Sequence, residues 1–302
     1  MPNVGLLCGR ERSWPAKFLA AVNARGVPAE LVKLGGTLAH APLPYAVVVD
    51  RVSHEVPYYR TVLKKAVLDG VAVVNDPFVW SADDKFVGAA LCGRLGVPHP
   101  KTVALPNKDY GPGIVRGEGL GNLIYPLDWQ SIVDAVGLPC VLKATVGGGW
   151  HGARVCHSVE ELIRYFDTSG LATMVAQEQV AWDRFLRCLC VGKGRALALP
   201  YDRVQRRYLA DDGYLPAALT RQVQEDSLKL VRAVGYDVNA VEWAVRDGVA
   251  YAVDFLNPAP DLDAASLPPA AFEWSVSAVV DLVVGLATAP RPAPEPRWAK
   301  PF

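Results

Sequence analysis

Lys143 stands on the apolar run "CVLKATV" (140–146), and Gly147, Gly148 and Gly149 follow it almost at once. A lysine on a strand can hold its ammonium beside a loop whose consecutive N–H groups converge on one anion, because glycine has no Cβ to restrict φ. The same letters also describe a glycine-rich hairpin with its lysine in solvent, and both readings stand on these residues alone. The familiar phosphate fingerprints are absent. No G-x-x-x-x-G-K-[ST] occurs, and "GEGLGN" (117–122) lacks the third glycine of G-x-G-x-x-G.

Two carboxylates interrupt apolar strands further on: Glu242 in "AVEWAV" and Asp254 in "AVDFLNP". A carboxylate in a buried strand is costly unless it is paired or binds a cation. Two on neighbouring strands repel each other unless a cation lies between them. Hard oxygen donors, with the side-chain carbonyl of Asn257, suit Mg²⁺, which is commonly held by few carboxylates plus substrate phosphates. The alternative is a half-exposed sheet whose carboxylates simply alternate outward.

Arg187 sits in the apolar "DRFLRCL", followed by Arg203, Arg206 and Arg207 in "YDRVQRRYL". Guanidinium forks bind carboxylate or phosphate. Arg206 and Arg207 read as a solvated edge, whereas an unpaired Arg187 inside an apolar strand would be expensive. Other chemistries lack their motifs: there is no H-R-D loop, no G-x-S-x-G and no H-x-x-x-H spacing. His151 and His157, which flank the glycines, read as structural or surface residues.

These residues need elements to position them. Strand and helix signals alternate through the first 76 residues, from "NVGLLC" through "YAVVVDRV" to "VAVVND", which implies a parallel sheet with crossover helices. "SADDKFVGAALCGRLG" reads as a helix with Ser81 as its N-cap. Residues 106–128, rich in Gly and Pro, read as a long loop. "SVEELIRYFDTSG" carries a capping box between Ser158 and Glu161. "LTRQVQEDSLKLVRAVG" is an amphipathic helix, and residues 239–257 form a hairpin across Asp247-Gly248.

Composition bounds the rest. The 302 residues include 31 basic and 31 acidic side chains, so bulk attraction to nucleic acid is not expected. The six cysteines form no C-x-x-C pair and read as reduced thiols of a cytoplasmic protein. No leader and no membrane span are expected, and "VSAVVDLVVGLATA", which carries Asp281, reads as a packed helix.

Taken in order, the passages around 45–102, "LPCVLKATVGGGWHGARV", "MVAQEQVAWDRFLRCLCVG" and "GYDVNAVEWAVRDGVAYAVDFLNPAP" resemble the ATP-grasp superfamily, in its glutathione synthetase and ribosomal-protein glutamate ligase branch. The resemblance implies an α/β chain. A Rossmann-like parallel-sheet domain over 1–80 would precede an ATP-grasp domain over 81–302, with a lid subdomain at about 100–180 and a larger one at about 181–290. It implies an ATP-dependent carboxylate–amine ligase using ATP and Mg²⁺. An ATP-grasp kinase of small molecules and a non-catalytic nucleotide-binding protein are the alternatives.

By the same resemblance Lys85 and Lys143 hold ATP phosphates, and Gly147, Gly148 and Gly149 close over them. Glu178, Gln179 and Val180 form the adenine hinge, and Asp183 takes the ribose. Arg187 meets the transferred phosphoryl group, and Glu242, Asp254 and Asn257 hold the metal. Arg10, Trp14 and Arg51 of the first domain help hold a small-molecule or peptide substrate, and the chain is a possible homo-oligomer. One departure stands out. The family ends its metal motif in acidic-x-Asn, whereas Asp254-Phe-Leu-Asn257 is one residue longer, so a plain strand would turn the two side chains to opposite faces unless a bulge intervenes.

Overall fold

A computed structural model describes residues 3–80, 84–114, 120–147, 152–209 and 213–289. Ser81, Gly148, Gly149, His151 and the proline-rich tail lie outside the described residues. In chain order the elements begin with β1 (Val4–Leu7), α1 (Ser13–Ala24), β2 (Ala29–Leu31), β3 (Val47–Asp50), α2 (Pro57–Leu68), β4 (Ala72–Val74) and α3 (Pro77–Trp80). They continue with α4 (Lys85–Leu95), β5 (Thr102–Leu105), α5 (Trp129–Val136), β6 (Cys140–Ala144), β7 (Arg154–Cys156), α6 (Val159–Phe166) and β8 (Met174–Glu178). The last third holds β9 (Arg184–Val191), β10 (Arg195–Asp202), β11 (Arg207–Tyr208), α7 (Ala217–Val234), β12 (Val238–Arg246), β13 (Val249–Asp254) and α8 (Pro269–Thr288).

The chain divides into two compact units: residues 1–82, 185–241 and 257–302, and residues 83–184 and 242–256. The sequence-based division at 80/81 and 180/181 follows the chain, whereas these units are assembled from separate stretches of it.

In the first unit β2, β1, β3 and β4 form a parallel sheet in that order, with Val4 opposite both Ala29 and Val47. The all-apolar runs of β1 and β3 are buried throughout, as expected of strands covered on both faces. The same unit contains β11, β10, β9 and the first residues of β12, side by side. Helix α8 is long and apolar enough to cross a membrane by composition alone. Half of it is nevertheless buried, packed on α1 and β3, and its Asp281 and Glu273 pair with Arg25, Arg195 and Lys17.

In the second unit β5, β8, β6 and β7 form an antiparallel sheet, with α5 and α6 closing its core around Leu105, Leu142, Leu162 and Phe166. Helix α4 starts at Lys85, and its cap is Asp84, whose carboxylate accepts the N–H groups of Phe86 and Val87. This replaces the cap expected at Ser81. Ser158 caps α6 as expected, accepting the Glu161 N–H at 3.2 Å. The hairpin turn has positive φ at both Asp247 (53°) and Gly248 (78°), the geometry that matches the twist of its strands.

Candidate active site

The second unit gathers several of the singled-out residues around one narrow cleft. Lys85, Lys143, Gln177, Asp254 and Phe255 are among its walls. Lys85 is the first residue of α4, and its Nζ hydrogen-bonds the carbonyl of Gly147. Gly147 has φ +107°, a conformation open to glycine and strained for other residues. The described start of the glycine loop is therefore tied to a lysine, while Gly148 and Gly149 lie outside the described residues.

Lys143 lies on β6, the central strand beside β8, and is 6% exposed. The reading of a lysine standing in solvent is overturned by that burial. A buried ammonium needs acceptors, and Nζ donates to the Val253 carbonyl at 3.4 Å. Val253 is itself unusual. Trp243 opposes Ala252 on the neighbouring strand, but Glu242 opposes Asp254, so Val253 is the extra residue of a β-bulge.

The bulge sets Glu242 and Asp254 directly across from each other, which puts both carboxylates on one face of the hairpin. Glu242 is 4% exposed, so the alternative of outward-alternating carboxylates fails for it. Asn257 lies beyond the end of β13, in the first unit. There its N–H donates to Asn239 Oδ1 at 2.9 Å, and its carbonyl accepts the Ala240 N–H at 3.0 Å. Among the described residues no three His, Cys, Asp or Glu side chains are grouped to hold a metal ion by themselves.

At the end of β8, the Glu178 N–H donates to the Lys101 carbonyl at 2.8 Å. Its carboxylate accepts the Lys101 N–H at 3.2 Å and Arg246 Nη1 at 3.3 Å. That N–H is therefore committed. Val180 is buried, and Gln179 Oε1 is buried without a partner among the described residues. Asp183 is exposed, and its N–H donates to the Val245 carbonyl at 2.9 Å.

In the first unit Arg187 projects from β9, with its guanidinium 4.1 Å from the Tyr201 ring and 5.9 Å from that of Tyr208. Cation–π contact offsets part of its desolvation. Arg206 and Arg207 are exposed, as a solvated edge requires. Trp14, expected to help hold substrate, is fully buried and donates to Ser275 Oγ at 3.2 Å, so it belongs to the core. Arg51 is also buried, but its partner is Glu11, with the Pro260 carbonyl as a further acceptor.

Sequence reasoning missed Asn75. Its amide donates to the Val238 and Pro258 carbonyls at 2.7 and 2.9 Å and accepts the Asp237 and Val238 N–H groups at 2.6 and 2.8 Å. It ties the start of β12 to the segment that follows Asn257. The signal was the lone polar residue ending the apolar run "VAVVN".

Comparison with known proteins agrees with this fold. Residues 127–189 match the family described as carbamoyl-phosphate synthase L chain, ATP binding domain. The D-alanine–D-alanine ligase of Ralstonia nicotianae is 28% identical over 180 residues, covering 53% of this chain and 54% of that protein. The chain spans about half the length of that relative, and as little as 11% of other curated relatives it matches. A D-alanine–D-alanine ligase from Bacillus anthracis, solved with ATP, superposes with a TM-score of 0.66 at 16% identity, covering 95% of this chain and 97% of that one. A RimK domain ATP-grasp protein from Sphaerobacter thermophilus gives 0.65 at 18% identity, covering 95% and 100%. This chain has the ATP-grasp fold.

Proposed function

We propose that the protein is an ATP-dependent carboxylate–amine ligase. The observation that carries this reading is the cleft of the second unit, where two lysines and Asp254 share one wall set and Glu242 faces Asp254 across the hairpin. Cations for phosphate beside carboxylates for a divalent ion are the donor set that a magnesium–nucleotide complex requires. Magnesium bound there would neutralise charge that spreads over the transferred phosphoryl group.

In the proposed reaction a substrate carboxylate oxygen attacks the γ-phosphorus of ATP and ADP leaves. An amine nitrogen then attacks the acyl carbon, phosphate departs, and the nitrogen loses a proton. Lys143 and Lys85 orient the phosphates and stabilise their charge. Glu242 and Asp254 hold the cation. Gly147, Gly148 and Gly149 cover the phosphates, Glu178, Gln179 and Val180 border the adenine, and Asp183 takes the ribose. Arg187 meets the phosphoryl group, and Asn257 is a third metal ligand. These last assignments rest on the resemblance.

The test is calorimetric titration with a non-hydrolysable ATP analogue, with and without Mg²⁺, on wild type and Lys143→Ala. A charged hydrogen bond contributes about 1.5–3 kcal/mol, so the variant should bind at least about tenfold more weakly. Binding should also need Mg²⁺. Phosphate released with a panel of carboxylates and amines identifies a ligase, whereas phosphate retained on a hydroxyl identifies a kinase. A wild type that binds no analogue would sink the proposal.

A further inference from the structure

All six cysteines are free, and two of them face each other in the second unit. Cys140 opens β6 and Cys156 ends β7, and the register of that antiparallel pair sets them directly opposite. Directly opposed residues on antiparallel strands have Cα atoms about 4.5–5.5 Å apart. A disulfide spans Cα separations of about 4.4–6.8 Å, so the backbone already holds this pair within bridging distance. The two side chains hydrogen-bond each other, with Cys156 as donor. That bond holds the Cys140 thiol below its ordinary value and pushes the Cys156 thiol up. Cys140 is therefore the one that forms a thiolate, the nucleophilic form.

The other neighbouring cysteines are arranged differently. Cys188 and Cys190 lie two residues apart on β9 and oppose Ala198 and Ala196. Such residues of one strand are about 6.4–6.8 Å apart, at the far limit of what a disulfide spans. The setting of Cys156 also matters. β7 is the last strand of its sheet and is three residues long. Its Arg154 and Val155 are exposed, whereas Cys156 joins Cys140, Leu162 and Phe166 in the core. A short edge strand opens locally at lower cost than a central one. Such opening admits a small oxidant to thiols that the closed hairpin buries. The same hairpin carries Lys143 on β6 and leads into the glycine loop at Gly147.

We infer that Cys140 and Cys156 form a reversible disulfide that clamps β7 to β6 when the protein meets a peroxide. The Cys140 thiolate attacks one oxygen of hydrogen peroxide and the O–O bond breaks, giving a sulfenic acid. The hydroxide that leaves takes up the proton that Cys140 gave up. The Cys156 sulfur then attacks the Cys140 sulfur. The S–O bond breaks, and the departing hydroxide takes the Cys156 proton. Two thiols and one hydrogen peroxide thus become one disulfide and two waters. A dithiol reverses the bond by exchange. In a reducing compartment such a bond is transient, which makes it a switch on this hairpin rather than a fixed brace.

The test is brief hydrogen peroxide treatment of the full chain, alkylation of the remaining thiols, and tryptic mapping without reductant. Cleavage after Lys143 and Arg154 separates Cys140 from Cys156, so a linked peptide pair reports the bond, while Cys188 and Cys190 share the peptide 188–193. The expected result is a Cys140–Cys156 link, alkylated Cys188 and Cys190, and loss of the link in dithiothreitol. Hydrogen exchange at β7 should slow at least about tenfold in the oxidised protein and recover in dithiothreitol. Cys140→Ala and Cys156→Ala should show neither change, and the wild-type map decides the question where a variant fails to fold. Three results would overturn the inference: no link in the folded wild type, a link that forms only after unfolding in urea, or irreversible oxidation of Cys140 to the sulfinic acid. A link that leaves exchange at β7 unchanged would overturn the clamp. None of these readouts uses a nucleotide, so the inference and the ligase reading fail separately.

Discussion

Helix α1 has no cap of its own. Arg12, at its N-cap position, makes no side-chain capping hydrogen bond. The orphan N–H groups of Arg12, Ser13 and Trp14 donate instead to the Asp263 carboxylate at 2.8, 3.0 and 2.9 Å, and Ser13 Oγ adds a fourth bond at 2.9 Å. Asp263 lies 250 residues from Ser13 in sequence. It fixes the start of α1. Asp263→Ala removes all four acceptor contacts. Loss of an ordinary N-cap costs about 0.5–2 kcal/mol. Three N–H groups lose a partner here, but water reaches this half-exposed site and replaces part of the loss. A cost of about 2 kcal/mol follows, and Asp263→Asn, which keeps an acceptor, should lose about half of it.

The pH dependence has a definite sign. Burial raises the Asp263 pKa, but hydrogen bonds from Trp14, Arg12 and Ser13 outweigh it and hold the carboxyl below its ordinary value. A depressed folded-state pKa stabilises above the unfolded value of about 3.9, and that stability is lost as pH falls through the lower folded value. The wild-type advantage over Asp263→Ala should therefore be full at neutral pH and shrink below about pH 4. Urea denaturation followed by circular dichroism, with hydrogen exchange at the α1 amides, measures both effects. A variant within about 0.5 kcal/mol of wild type at pH 7 would refute the reasoning, since that is the range of a neutral surface substitution.

Two further outcomes are expected. Asn75→Ala leaves buried N–H and carbonyl groups of the Asp237–Val238 and Pro258 segments unsatisfied, and should cost about 3 kcal/mol or more, measured by urea denaturation. Gly88 lies on α4 against Phe255, and an added Cβ would sit 3.1 Å from that ring. Gly88→Val should push the helix that begins with Lys85 away from the strand end carrying Asp254. It should weaken ATP-analogue binding by about tenfold or more, and an unchanged titration would show that this packing does not position Lys85.

Much of the local structure was legible without coordinates. Apolar runs gave β1, β3, β6, β9 and the hairpin, and Asp247-Gly248 marked its turn, because those signals are set by neighbours in sequence. Ser158 announced its helix for the same reason. Within the stretch read as a loop and just after it, α5 and its Asp128 cap went unread, as did β10 and β11. β11 is only two residues long and exists because β10 pairs with it.

The sequence by itself determined residue types and their order: lysine before glycines, and two carboxylates on apolar strands. What only the tertiary structure decided is their state. Lys143 is buried because β8 lies beside β6. Glu242 faces Asp254 because a bulge shifts the register between their strands. α1 is capped, and Arg51 is paired, by residues far along the chain or on another loop. Periodicity and capping rules reach only a few residues, whereas burial, strand register and long-range pairing arise once distant segments pack together.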